Sequence, residues 1–170
     1  MPQVYQKRHW KRFIMPLLAL AIIAGIMVAV VWRLRSQQDA QDQAKQAAAV
    51  LKEAQTLDNS HKYTFETQVL ENYVNTNPPK QYQYQPLLQL GVLALNHQDY
   101  AGALKWYKRA EAVSGKVQLL DAAGAGEAEA VLGNKQAAIS YYQQAANLAN
   151  TSDPNETNFK AEIKALESAP

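Results

Sequence analysis

A 35-residue echo constrains this chain more than any other feature. Gly91 recurs as Gly126, Ala103 as Ala138, Leu104 as Ile139, Tyr107 as Tyr142 and Ala110 as Ala145, each pair separated by the same 35 residues. A fixed period of this length is the signature of stacked supersecondary units, each too small to bury its apolar face alone. In the better copy, LLQLGVLALNHQDYAGALKWYKRA from Leu87 to Ala110, small residues alternate with bulky ones as expected of two antiparallel helices. A glycine inside a helix costs about 1 kcal/mol relative to alanine. Gly91 and Gly126, at one phase of the repeat, therefore point to a close helix approach that offsets this cost. Ala103 and Ala110 offer small surface on the second helix, with Leu87, Leu90 and Tyr107 filling the remaining space.

The motif formed by Leu87, Leu90-Gly91, Ala94, Asp99-Tyr100, Ala103, Tyr107 and Ala110 resembles a tetratricopeptide repeat. The second copy departs from that pattern at Ala122, where a bulky residue is usual, and at Glu129, which stands at the tyrosine-like position; Gly115 and Asn150 replace the helix-ending proline. A degenerate third copy precedes them: His61-Lys62-Tyr63 resembles Gln98-Asp99-Tyr100, and Asn77-Pro78 resembles a repeat end, with Glu66 in place of the alanine marker. The resemblance implies an all-α stack of antiparallel helix pairs whose first helices line a groove. Leu88, Val92 and Leu95 of one repeat and Ala123, Glu127 and Val131 of the next would face it. The lysines and asparagines with which some members clamp an acidic peptide terminus are missing at these places. A lining of Leu, Val and Ala suits an amphipathic helix or an extended apolar segment, supplied by a partner, by the chain's own terminal helix or by a second copy.

Ahead of the repeats, FIMPLLALAIIAGIMVAVVW from Phe13 to Trp32 runs for 20 residues without a charge. As a helix it is about 30 Å long, one hydrocarbon core. Eleven of its residues are Leu, Ile, Val or Phe, which favours insertion by up to about 5 kcal/mol. Trp10 and Trp32 bracket the run as interfacial anchors, and Pro16 falls in the first turn, where a missing amide donor matters little. A signal peptide has a shorter apolar core and a small-residue cleavage site; Trp-Arg-Leu-Arg follows here, so an uncleaved anchor in the lipid bilayer is expected. Lys7, Arg8, Lys11 and Arg12 outnumber Arg33 and Arg35 near the run, which places the amino terminus in the cytoplasm and the remaining domain outside the cell membrane.

Charge follows the same division. Residues 1–35 hold six basic residues and no acid, so the remainder carries eleven basic residues against all 15 acids, a charge of −4. A mildly acidic folded domain is a poor partner for nucleic acid.

The domain plan is a basic flank (1–12), a transmembrane helix (13–32), a juxtamembrane helix continuing into a degenerate first repeat (33–57), repeats (58–150) and a capping helix with tail (151–170). In the juxtamembrane segment Ala40, Ala44, Ala47, Leu51 and Ala54 share one helical face, expected to pack on a helix holding Phe65, Val69 and Tyr73. Asn75 to Gln85 reads as a proline-bearing loop. The helices then fall at Leu87 to Asn96, Tyr100 to Val113, Val117 to Leu132 and Gln136 to Asn150, with Gly133-Asn134 at a turn. In the tail, Asp153 is the expected cap, Pro154 the first helical position and Glu156 its reciprocal partner. Phe159, Ile163 and Leu166 face inward and Lys160, Glu162, Lys164 and Glu167 outward, as suits a helix that closes a repeat stack.

No residue pattern calls for catalysis. His9, His61 and His97 are isolated, Glu127 and Glu129 point to different sides of one helix, and there is no cysteine, no nucleophile elbow and no phosphate loop. Neither a cofactor nor a metal is implied. The expected function is a non-catalytic, membrane-anchored scaffold or adaptor that binds a protein partner in an apolar groove. The alternative is a self-assembling membrane subunit, a homo-oligomer joined through the Ala40 to Ala54 face and the membrane helix, where Gly25 with Ala21 or Ala29 gives a small-residue pair.

Overall fold

The computed structural model describes the backbone of residues 7–59, 63–149 and 154–169, and the side chains of residues 25–57, 63–149 and 155–169. Among these the chain is all α: α1 (Lys7–Asn59), α2 (Tyr63–Asn75), α3 (Lys80–Asn96), α4 (Tyr100–Ser114), α5 (Leu119–Val131), α6 (Lys135–Leu148) and α7 (Pro154–Ser168). Two units divide at Lys45/Gln46, inside α1.

In the first unit, every described side chain from Gly25 to Lys45 except the half-buried Gln43 is exposed. These include Ile26, Met27, Val28, Val30, Val31, Trp32 and Leu34. No helix is long and apolar enough to cross a membrane among the described residues. The first twelve residues of the expected span, 13–24, have side chains outside that described set.

The second unit is built by successive contacts: α2 on α3, α3 on α4, α4 on α5, α5 on α6 and α6 on α7, with α3 also reaching α5. Ala47 and Ala54 of α1 are buried in its core, whereas Ala40 and Ala44 of the expected alanine face are exposed. The α2 helix is rolled relative to expectation. Phe65 is 59 % exposed, and the inward stripe is Glu66, Leu70, Tyr73 and Val74. The rotation brings Glu66 under α3, where its Oε1 accepts a hydrogen bond from Gln89 Nε2 at 2.9 Å; a buried carboxylate needs such a donor.

The 35-residue period is visible in the turns themselves. Gln98, at φ 61°, and Gly133, at φ 80°, occupy the left-handed region at equivalent positions. The backbone bond from Asp99 N to Ala94 O (2.8 Å) is repeated by Asn134 N to Glu129 O (2.9 Å). Such a three-residue connection returns the chain antiparallel to itself. Left-handed backbone strains a residue with a Cβ by about 1–2 kcal/mol but leaves glycine unstrained. Gln98→Gly should therefore raise stability by about 0.5–1 kcal/mol after the greater entropy of unfolded glycine is subtracted, read as a higher urea midpoint at unchanged m-value.

The segment expected as a loop from Asn75 to Gln85 is mostly helix. The α3 helix begins at Lys80, directly after Pro79, which holds extended backbone (φ −52°, ψ 142°), and carries Pro86 inside it. Two anchors compensate for the missing Pro86 amide donor. Gln83 Nε2 donates to Pro78 O and, at 3.3 Å, to Asn77 Oδ1, and Tyr84 reaches α5 through its hydroxyl. Proline disfavours a helix by its local chemistry; the local Gln83 bonds across the helix start and the tertiary Tyr84–Asp121 bond hold the turn that precedes it.

Candidate interaction groove

The groove has an aromatic floor. Tyr107 of α4 is almost fully buried and lies between two glycines on different helices. A Cβ on Gly91 of α3 would stand 2.7 Å from its Cε1, and a Cβ on Gly124 of α5 would stand 2.3 Å from its Cζ. The second copy repeats half of this device: a Cβ on Gly126 would stand 2.9 Å from Tyr142 Cδ1 of α6. The repeat glycines thus admit a tyrosine ring, with the small residues Ala103, Ala110, Ala138 and Ala145 fully buried beside it. Gly124 has no counterpart 35 residues earlier, where Gln89 stands, so periodicity could not reveal it.

Above Tyr107 and Tyr142 opens a cleft of about 550 Å³. Val92 and Leu95 line it from α3, and Ala123, Glu127 and Val131 from α5. Leu88, expected beside them, is buried in the core instead. Packing of α2, α4 and α5 around α3 covers Leu88 and leaves the cleft wall to Val92 and Leu95. Leu120, Gly124 and Ala130 also line the cleft. Leu120 was legible in principle, since it lies three residues before Ala123 and seven before Glu127 on one helical face.

The far wall comes from α7, through Asn155, Asn158, Phe159 and Glu162. Phe159 stacks on Tyr142 with ring centroids 6.2 Å apart, which fixes α7 against α6. Glu162, expected on the outer face, faces the cleft. Asp153, the expected cap, lies outside the described residues. The cleft remains open with α7 in place: Val92, Leu120 and Val131 are 44, 60 and 55 % exposed.

Its field is negative. Burial pushes the Tyr142 hydroxyl up to about 12, with Glu162 and Glu127 adding to the rise. Tyr107 is raised in the same sense by burial and then by Glu127 and Asp121. Glu129, two residues from Glu127, is buried on another side of α5 and serves structure: its carboxylate accepts from Asn134 Nδ2 at 2.7 Å and meets Lys108 Nζ at 3.5 Å. Glu129 thereby ties the α5–α6 turn to α4. Trp106, which the repeat pattern did not single out, is buried in the core beneath Lys105 and Arg109.

The wall-forming helices α3 and α5 are joined by Tyr84 Oη donating to Asp121 Oδ1 at 2.8 Å, while Asp121 Oδ2 accepts from Gln118 N at 3.3 Å. Burial pushes the Asp121 carboxyl above its ordinary 3.8; the Tyr84 hydroxyl and Gln118 amide partly offset this, and Glu111 adds to the rise. The folded chain therefore holds this proton more tightly than the unfolded chain. The group supports folding most at acid pH, and that contribution fades as pH rises from about 4 through its folded value. Tyr84→Phe removes a donor to the charged form, so it should destabilise by about 1–1.5 kcal/mol at pH 7. The gap from the parent should narrow at pH 4, where Asp121 is more protonated; urea titrations at both pH values check this.

No family model matches the chain, and no curated protein matches it.

Proposed function

We propose that this chain is a membrane-anchored, tetratricopeptide-like adaptor that binds a segment of another protein in the α3–α5–α7 cleft and performs no catalysis. The observation that carries the reading is the convergence of exposed Val92, Leu120 and Val131 from two helices onto one cleft. Exposed apolar side chains grouped in a concave site are the usual mark of a binding surface. The repeated glycine–tyrosine contact supports the repeat resemblance, and the exposed apolar side chains from Ile26 to Leu34 support burial of that helix in lipid. The homo-oligomer reading loses two of its seam residues, since Ala47 and Ala54 are already buried within the chain.

Photo-cross-linking in cells from a probe at Leu120 tests the adaptor reading. A distinct protein should be trapped, and Val92→Asp with Val131→Asp should reduce its capture at least about tenfold, because each places a charge against apolar partner surface. Both valines are half exposed, so the unfolding midpoint should hardly move. Undiminished capture by the folded double variant would count against the cleft as the binding site.

A further inference from the structure

We infer that the cleft takes an apolar segment carrying a lysine or arginine, whose cation sits between Glu127 and Glu162. This rests on the adaptor reading and specifies its partner's chemistry. The two carboxylates come from different helices, α5 and α7, yet line one cleft with Val92, Leu120 and Val131. Both are exposed, and among the described residues no lysine or arginine lines the cleft. Lys160, on the same helix as Glu162, is paired with Glu156 at 2.7 Å. At the cleft floor the Tyr142 hydroxyl is raised by burial first, and then by both Glu162 and Glu127.

Charge complementarity then selects among apolar occupants. A segment that covers the valines also takes water away from the carboxylates, and the lower effective dielectric strengthens any ion pair formed there. A neutral segment leaves the two negative charges partly desolvated without a partner, and an acidic one adds repulsion. A basic apolar segment satisfies both parts of the site.

The test uses a displayed library of random 12-residue peptides selected on the full-length chain in lipid nanodiscs, with the Val92→Asp variant for counter-selection. Peptides that depend on Val92 should be enriched in Lys or Arg flanked by Leu, Ile, Val or Phe. Replacing that basic residue by Glu in a selected peptide should weaken binding about 5- to 30-fold, because the change removes a favourable charge contact and adds a repulsive one. The Glu127→Gln, Glu162→Gln double variant should erase this preference while still binding the neutral version. Val92-dependent peptides without basic enrichment overturn the inference and leave the adaptor reading standing. A dimer seen by light scattering and abolished by Val92→Asp puts a second copy in the cleft and also overturns it. If no selected peptide depends on Val92, the adaptor reading itself falls.

Discussion

Tyr107→Ala is expected to destabilise the second unit by about 3–5 kcal/mol, the range for deleting a fully buried aromatic side chain. The ring lies at the meeting of three helices: it belongs to α4 and is seated on Gly91 of α3 and Gly124 of α5. Neither glycine has a side chain that could swing into the space left behind, so the cavity term should add to the lost transfer energy. Tyr142→Ala should be milder, at about 3 kcal/mol, because Tyr142 is less deeply buried and its neighbour Phe159 belongs to the terminal helix, which can settle inward. Urea unfolding followed by far-ultraviolet circular dichroism ranks the two. A loss below about 1.5 kcal/mol for Tyr107→Ala would remove the ring from the centre of the packing.

Why this centre was partly legible follows from what a period can report. Gly91, Tyr107, Gly126 and Tyr142 recur at one spacing because the contact inside each helix pair recurs, and that contact lies sixteen residues apart in both copies. Gly124 belongs to a contact between successive pairs, which occurs once for Tyr107 and leaves no echo. The repeat resemblance implied Ala123, Glu127 and Val131 as groove-facing, and these three line the cleft from α5. Leu88, implied with them, is buried instead, since its exposure depends on how α2 and α5 cover α3. The start of α3 was hidden for a related reason: Pro86 argues locally against helix, while the Tyr84–Asp121 bond that anchors the preceding turn joins residues 37 apart, which a sequence pattern does not connect. The α7 wall was expected as a cap, and Phe159 does pack inward against Tyr142. That Glu162 shares a cleft with Glu127 depends on the angle at which α7 meets α6, which no single-helix pattern encodes.

Gly124→Ala should destabilise by about 2–3 kcal/mol even though alanine is the better helix former by about 1 kcal/mol. The added methyl would lie 2.3 Å from Tyr107 Cζ, far inside contact distance. A tyrosine at the surface would simply turn away. Here Gly91 backs the ring on another helix, with its own Cβ position only 2.7 Å from Cε1, so the ring cannot retreat without closing on α3. The strain must then be relieved by separating α5 from α4, which also widens the groove wall carrying Ala123 and Glu127. Gly91→Leu should cost about 1–3 kcal/mol by the same overpacking, and Gly126→Ala less, because Tyr142 is opposed by one glycine and the Cβ position lies 2.9 Å away. The decisive comparison is a double-mutant cycle with Tyr107→Leu. A smaller side chain leaves room for the methyl, so Gly124→Ala should become neutral or stabilising in that background, giving a coupling of about 2–3 kcal/mol between contacting residues. An undiminished penalty in the Tyr107→Leu background would show that Gly124 is required for its backbone rather than for the ring.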